Sequence, residues 1–208
     1  MTPDLFRAID TLLAEIRERP SPVVVAVDGP SGAGKSTLVA QIATAVGAAV
    51  VSVDDFFAAT VPAAGWAHRS AAARARDAID WRRLRREALE PLRAGMPARW
   101  YPFDFAAGPL PDGTYRFAVT AIACRPSSVI LLDGAYSARP ELRDLVDLAV
   151  LVDAPTATRR ARLAAREEPG FLEGWHARWD EAEAYYFQTV RPASTFDLVV
   201  SGVWPPGL

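Results

Sequence analysis

A chain of 208 residues with a net charge of −2, half of it hydrophobic and 23% charged, has the size and balance of one well-packed domain. That charge excludes a general electrostatic grip on nucleic acid, which needs a concentrated positive footprint. The single cysteine, Cys124, excludes an internal disulfide framework and a cysteine-rich metal site.

In chain order, the opening stretch 1–20 reads as an amphipathic helix, with Leu5, Phe6, Ile9, Leu12, Leu13 and Ile16 at helical spacing. It carries acids throughout and lacks an uninterrupted apolar segment, and no run in the chain reaches bilayer length, so a cytoplasmic protein with no membrane partner is expected. After Pro20 and Pro22 comes "VVVAVD", a β-branched run suited to a strand buried on both faces. Comparable runs follow at 48–55, 127–134, 147–154 and 196–202, and helical spacing marks 35–46, 77–94, 139–146, 155–167 and 173–189. The alternation predicts a three-layer α/β/α fold around a five-stranded parallel sheet. Stretches 56–76 and 96–126, richer in Pro, Gly and aromatics, break the alternation and are expected to be substrate-side insertions within one domain. Four of the five strand runs carry an Asp at the carboxyl end, Asp28, Asp54, Asp133 and Asp153, which is the edge where open α/β sheets bind ligands.

Between the first strand and its helix lies Gly29-Pro30-Ser31-Gly32-Ala33-Gly34-Lys35-Ser36, followed by Thr37; it fits G-x-x-x-x-G-K-[ST] in the strand–loop–helix context the motif requires. Loop amides and the start of the helix can cradle phosphate oxygens, Lys35 can reach the β- and γ-phosphates, and Ser36 can ligate Mg²⁺. Lys35 is the only lysine of the chain; every other basic residue is arginine. A rigid planar fork is a poor substitute for a point charge enclosed by a loop, which accounts for the exception. ATP and Mg²⁺ are the expected cofactors.

Four carboxylates follow from strand ends. Asp133 closes "VILLD", the place of a second acid near Mg²⁺, with a helix N-cap as the plainer alternative. Asp54 and Asp55 close "VSVDD"; neighbours on a strand face opposite ways, so Asp54 is taken as the base for an incoming hydroxyl and Asp55 as a supporting or capping group. Asp153 is expected to cap the helix after it. In "TATRRARLAAREE", Arg159, Arg162 and Arg166 share one helical face, as a lid over phosphates over 155–170 would need, or as a solvated helix would equally show. The aromatics Trp100, Tyr101, Phe103 and Phe105 suit stacking on a planar ring or a place in the core. His68 and His176 stand apart from other metal-ligating residues.

With these residues assembled, the chain resembles the uridine kinase branch of P-loop kinases, with its pantothenate kinase and phosphoribulokinase relatives. The likeness runs from Ser21 to Gly202 through "GPSGAGKST", "VDDFF", "PFDF", "LLDGAYSARPELRDLVDLAVLVDAP" and "RRARLAARE". It implies transfer of the ATP γ-phosphate to a hydroxyl of a small molecule, a nucleoside in the first instance. It assigns Asp54 as the catalytic acid, Lys35 and Ser36 to phosphate and Mg²⁺, Asp133 as the second acid, Phe57, Phe103 and Phe105 to the substrate side, and Arg162 and Arg166 to the lid. Two departures count: Gly108 stands near the family's base-contacting His, and Phe103 replaces its Tyr. Another alcohol, such as pantothenate or a sugar acid, and a nucleotide-dependent switch without an acceptor are the competing readings. Assembly into a homo-oligomer stays open.

Overall fold

The structure, a computed structural model, describes residues 3–166 and 169–204. Helix α1 (Pro3–Arg17) buries Leu5, Ile9, Leu12 and Ile16, while Phe6 faces outward. Strand β1 (Val23–Asp28) is buried along its whole length, as its β-branched run requires. Helix α2 (Lys35–Val46) returns to β2 (Ala49–Ser52). There the expected strand ends early, and Val53–Phe56 form a 3-10 turn.

The stretch 56–76 folds as two short helices, α3 (Ala63–Ala67) and α4 (Ala71–Asp77). The helix expected over 77–94 is α5 (Trp81–Leu84), a π turn over Arg85–Leu89 and α6 (Glu90–Arg93). Pro91 has no N–H to return to the preceding turn, which accounts for the local widening. Strands β3 (Ala98–Trp100) and β4 (Ile122–Cys124) pair as an antiparallel ribbon outside the main sheet. The main sheet continues with β5 (Val129–Asp133), β6 (Leu148–Asp153) and β7 (Leu198–Ser201). Between β5 and β6 the expected helix shrinks to a 3-10 turn, Pro140–Leu142, since a segment so short cannot sustain a helix unaided. Helix α7 (Thr156–Arg166) follows β6, and α8 (Pro169–Tyr185) runs into a π turn, Tyr186–Val190, shortly before Pro192. Residues 167 and 168 of the expected lid lie outside the described residues.

The five strands are parallel in the order β2-β5-β1-β6-β7. One core joins α1 and α2 to one face of the sheet through Leu5, Leu12, Leu38 and Ile42. The other face carries Phe56, Trp66, Leu84, Trp100, Trp179 and Tyr186. The central strands β1 and β5 therefore carry their last residues to the same edge of the sheet, Asp133 onto the crevice between the helical layers and Asp28 buried beneath the loop.

Candidate functional site

The phosphate-type loop is shaped by backbone close to its neighbours. Gly29 has φ +148°, and a Cβ there would lie 2.3 Å from the Val152 carbonyl oxygen; at Gly32, with φ +78°, it would lie 2.6 Å from that of Arg159. Both positions exclude side chains on conformation and space together. Lys35, almost wholly buried at the start of α2, donates to the carbonyls of Gly29 (2.8 Å) and Pro30 (3.1 Å). The ammonium thus lies back along its own loop.

Beneath the loop sits Asp28, a group whose role is not legible from the motif. Fully buried, it accepts hydrogen bonds from the backbone N–H of Gly29 (2.8 Å), Tyr136 (2.9 Å) and Ala138 (2.9 Å) and from the Tyr186 hydroxyl (2.9 Å). Burial pushes its pKa up, against the pull of those bonds and of the Lys35 charge. The arrangement holds Tyr136 at φ +68°, a left-handed conformation that costs a residue with a side chain about 1–3 kcal/mol. The strand-end Asp was visible in the sequence; its Tyr186 partner, delivered by a π turn, was not.

Three carboxylates line the crevice. Asp54 projects from the 3-10 turn rather than from a strand end, and the turn still sends its neighbour elsewhere: Asp55 accepts from Trp100 Nε1 at 2.8 Å. Although Asp54 opens onto the crevice, the protein crowding its carboxylate raises its pKa; Lys35 opposes the rise, and Asp133, Asp55 and Glu183 add to it. Burial likewise raises Asp133, partly offset by a hydrogen bond from the Ser36 side chain and by Lys35. Asp133 caps no α-helix, since only the 3-10 turn Pro140–Leu142 follows it, and its Oδ1 is enclosed without a partner. Ser36 and Asp133 together present hard oxygen donors of the kind Mg²⁺ takes, and the unpartnered oxygen fits a cation ligand.

The third carboxylate, Glu183 on α8, was missed. It is buried, lines the same crevice, and accepts from the Ser31 N–H (3.0 Å) and hydroxyl (2.5 Å). Its signal in the sequence is an acid set in the apolar and aromatic run "AEAYYF".

From α7, Arg162 donates to the carbonyls of Gly32 (3.2 Å), Ala33 (3.1 Å) and Trp204 (2.9 Å), and Arg159 to that of Ser31 (3.3 Å). Desolvation holds the Arg162 pKa below its usual value. Arg162 and Arg166 both line the crevice, whereas Arg160 turns away to an exposed pair with Asp180. Arg159 and Arg162 on that shared face therefore look onto the loop, while Arg166, at the exposed end of the helix, lines the crevice mouth.

The crevice encloses about 560 Å³. Ser31, Gly32, Gly34, Lys35, Ser36 and Thr37 line it; Gly29, Pro30 and Ala33 shape the loop from behind. Opposite them stand Phe57, Ile79, Phe105 and Trp179. Phe57 is the hub of that wall, with ring centroids 5.1 Å from Phe103, 5.9 Å from Phe105 and 5.3 Å from Trp179. Two expected members are not on the lining. Phe103 is buried behind Phe105, and Tyr101 is exposed beside Arg99, because β3 alternation turns Trp100 inward and leaves its successor outward. Asp153 borders a separate shallow crevice with Pro30 and Arg159. His176 pairs with Asp180 at 2.9 Å, and His68 sits at the end of α3.

A parallel sheet in this order, a glycine loop running into a helix, and an arginine helix closing on that loop define the P-loop kinase fold. The chain belongs to the AAA domain family, whose model AAA_33 matches residues 24–188. Solved structures agree. A protein described as a possible uridine kinase from Bacillus stearothermophilus is 22% identical, with 94% of this chain and 98% of that one covered and a TM-score of 0.67. A protein described as a fructose transport system kinase from Silicibacter sp. TM1040 is 22% identical over 99% and 100% of the two chains, with a TM-score of 0.65. The D-glycerate 3-kinase of Cryptococcus neoformans is 13% identical over 97% of each chain, with a TM-score of 0.63. No curated protein matches the chain. Among the described residues no helix is long and apolar enough to cross a membrane.

Proposed function

We propose that the protein is an ATP-dependent kinase that phosphorylates a hydroxyl of a small molecule with a planar ring, a nucleoside being the leading acceptor. The observation that carries this is the two-sided crevice: Lys35, Ser36, Asp133, Arg162 and Arg166 on one side, and Asp54 with the Phe57, Phe105 and Trp179 wall on the other. The competing idea of a switch without an acceptor leaves Asp54 and the aromatic wall unexplained.

In this reading the loop amides and the start of α2 hold the β- and γ-phosphates, and Lys35 exchanges its Gly29 and Pro30 carbonyls for phosphate oxygens. Ser36 and Asp133 hold Mg²⁺, which when bound supplies positive charge against the phosphate oxygens. Arg162 and Arg166 take up charge that spreads over the transferring group and help to exclude water. Asp54 accepts the proton of the acceptor hydroxyl as its oxygen bonds to the γ-phosphorus; the bond from that phosphorus to the bridging oxygen breaks, and ADP leaves. A raised pKa suits a base, because a more basic carboxylate takes the proton more readily.

The test is ATP consumption with Mg²⁺ against uridine, cytidine, fructose, glycerate and pantothenate. Turnover above the no-acceptor rate with a nucleoside supports the reading. A rate that no acceptor raises removes it.

A further inference from the structure

Glu183 has no place in that mechanism, yet it occupies the crevice. It is 6% exposed, and among the described residues it forms no ion pair. Its hydrogen bonds come from the rim of the phosphate loop, through the N–H and hydroxyl of Ser31. One helical turn earlier on α8, Trp179 meets Phe57 at 5.3 Å and Trp66 at 5.1 Å. Glu183 therefore stands at the seam between the aromatic wall and the phosphate loop.

The crevice holds three cationic and three acidic side chains: Lys35, Arg162 and Arg166 against Asp54, Asp133 and Glu183. Lys35 and Arg162 are bonded to the loop itself, where the triphosphate would lie. A triphosphate with one magnesium still carries about two negative charges, so the loaded crevice is anionic toward whatever enters next. Two of its carboxylates, Asp54 and Glu183, share the crevice lining with the aromatic wall. Beside them is the Tyr136 hydroxyl, enclosed on a residue only 5% exposed and without a hydrogen-bond partner. A hydroxyl group both donates and accepts, and so can satisfy a carboxylate and a phenol together; an acid can only accept.

Resting on the kinase reading, we infer that Glu183 is a specificity-determining residue, which with Asp54 and Tyr136 restricts the acceptor to uncharged or cationic molecules rich in hydroxyl or amine donors and bars acids. The like charge of Glu183 repels a carboxylate in a water-poor site, where such repulsion is strong. Its remaining lone pairs reward a donor. Tyr136 supplies the complementary hydrogen.

The experiment compares kcat/KM for neutral nucleosides and their acids, such as uridine against its 6-carboxylate orotidine, in the wild type, Glu183→Gln and Tyr136→Phe. The wild type is expected to favour the neutral member by about 100-fold or more, and Glu183→Gln to shrink that ratio about tenfold, with the KM for ATP within about threefold of the wild type. Tyr136→Phe should lower kcat/KM for the neutral member while leaving its exclusion of acids in place. A wild type that prefers the acid, or a Glu183→Gln enzyme that merely melts earlier with its ratio unchanged, overturns the inference and leaves the kinase reading standing. Failure of every acceptor to raise turnover removes the kinase reading instead. Binding of the same pairs, followed by tryptophan fluorescence with a non-hydrolysable ATP analogue present, then decides Glu183 separately: equal binding of the neutral nucleoside and its acid overturns its role, and selective binding of the neutral nucleoside that is lost in Glu183→Gln supports it.

Discussion

The two walls of the crevice are built by different means. The phosphate wall is made from main chain: a loop whose glycines lie against the carbonyls of Val152 and Arg159, a helix start, and strand ends fixed by the parallel register. The acceptor wall is made from side chains, with Phe57 and Phe105 arriving from irregular segments and Trp179 from helix α8. A wall of backbone tolerates little variation and performs one task. A wall of side chains can be refitted residue by residue, which suits a fold shared by proteins described as a possible uridine kinase, a fructose transport system kinase and a D-glycerate 3-kinase.

Substitutions can break this contrast at several strengths. The largest effect is expected from Asp54→Asn, which removes the proposed base: kcat should fall by roughly 10²–10⁴ while ATP affinity, measured by calorimetry, stays near that of the wild type. The same carboxylate sets the acid limb of the pH profile. Since only the ionised form accepts a proton and the protein crowding the carboxylate raises its pKa above the ordinary 3.8, kcat/KM should drop on acidification with a midpoint above that value, and the limb should disappear in Asp54→Asn.

Next comes the lysine. Lys35→Ala should lose about 10²–10³ in turnover and also weaken ATP binding, and Lys35→Arg should restore little, because the pocket beneath Gly29 and Pro30 fits a narrow ammonium. On the other wall, Phe57→Ala should raise the acceptor KM about tenfold, the scale of a lost aromatic contact, and leave the KM for ATP alone. The smallest effect belongs to Tyr101→Ala, which should change both KM values by less than about twofold, since the ring lies outside the crevice. An acceptor KM that responds equally to both substitutions would erase the distinction between lining and periphery.

The same contrast explains what could be read in advance. Strand β1, the loop, helix α2 and the Asp at the end of β5 follow from hydrophobic runs and local spacing, and the structure places them within a residue or two of expectation. The run 48–55 misled at its end, because the period of a strand does not show where a 3-10 turn takes over after Ser52. On the acceptor side, composition announced aromatics but not their order of depth: Tyr101 and Phe103 read like Phe105, and only the pairing of β3 with β4 separates them. Glu183 and Tyr136 stayed hidden for another reason. Each acquires its place through contacts across more than a hundred residues, Glu183 with Ser31 and Tyr136 with Asp28, which no local window contains.

The knot around Asp28 carries a lesson for transplantation. One carboxylate ties together the root of the loop, the segment after β5 and the π turn after α8, three pieces far apart along the polypeptide. An eight-residue loop moved alone into a foreign scaffold would arrive without its moorings. The smallest portable module of this molecule is therefore a three-dimensional patch, and a protein engineer would have to borrow all of its strands of chain at once.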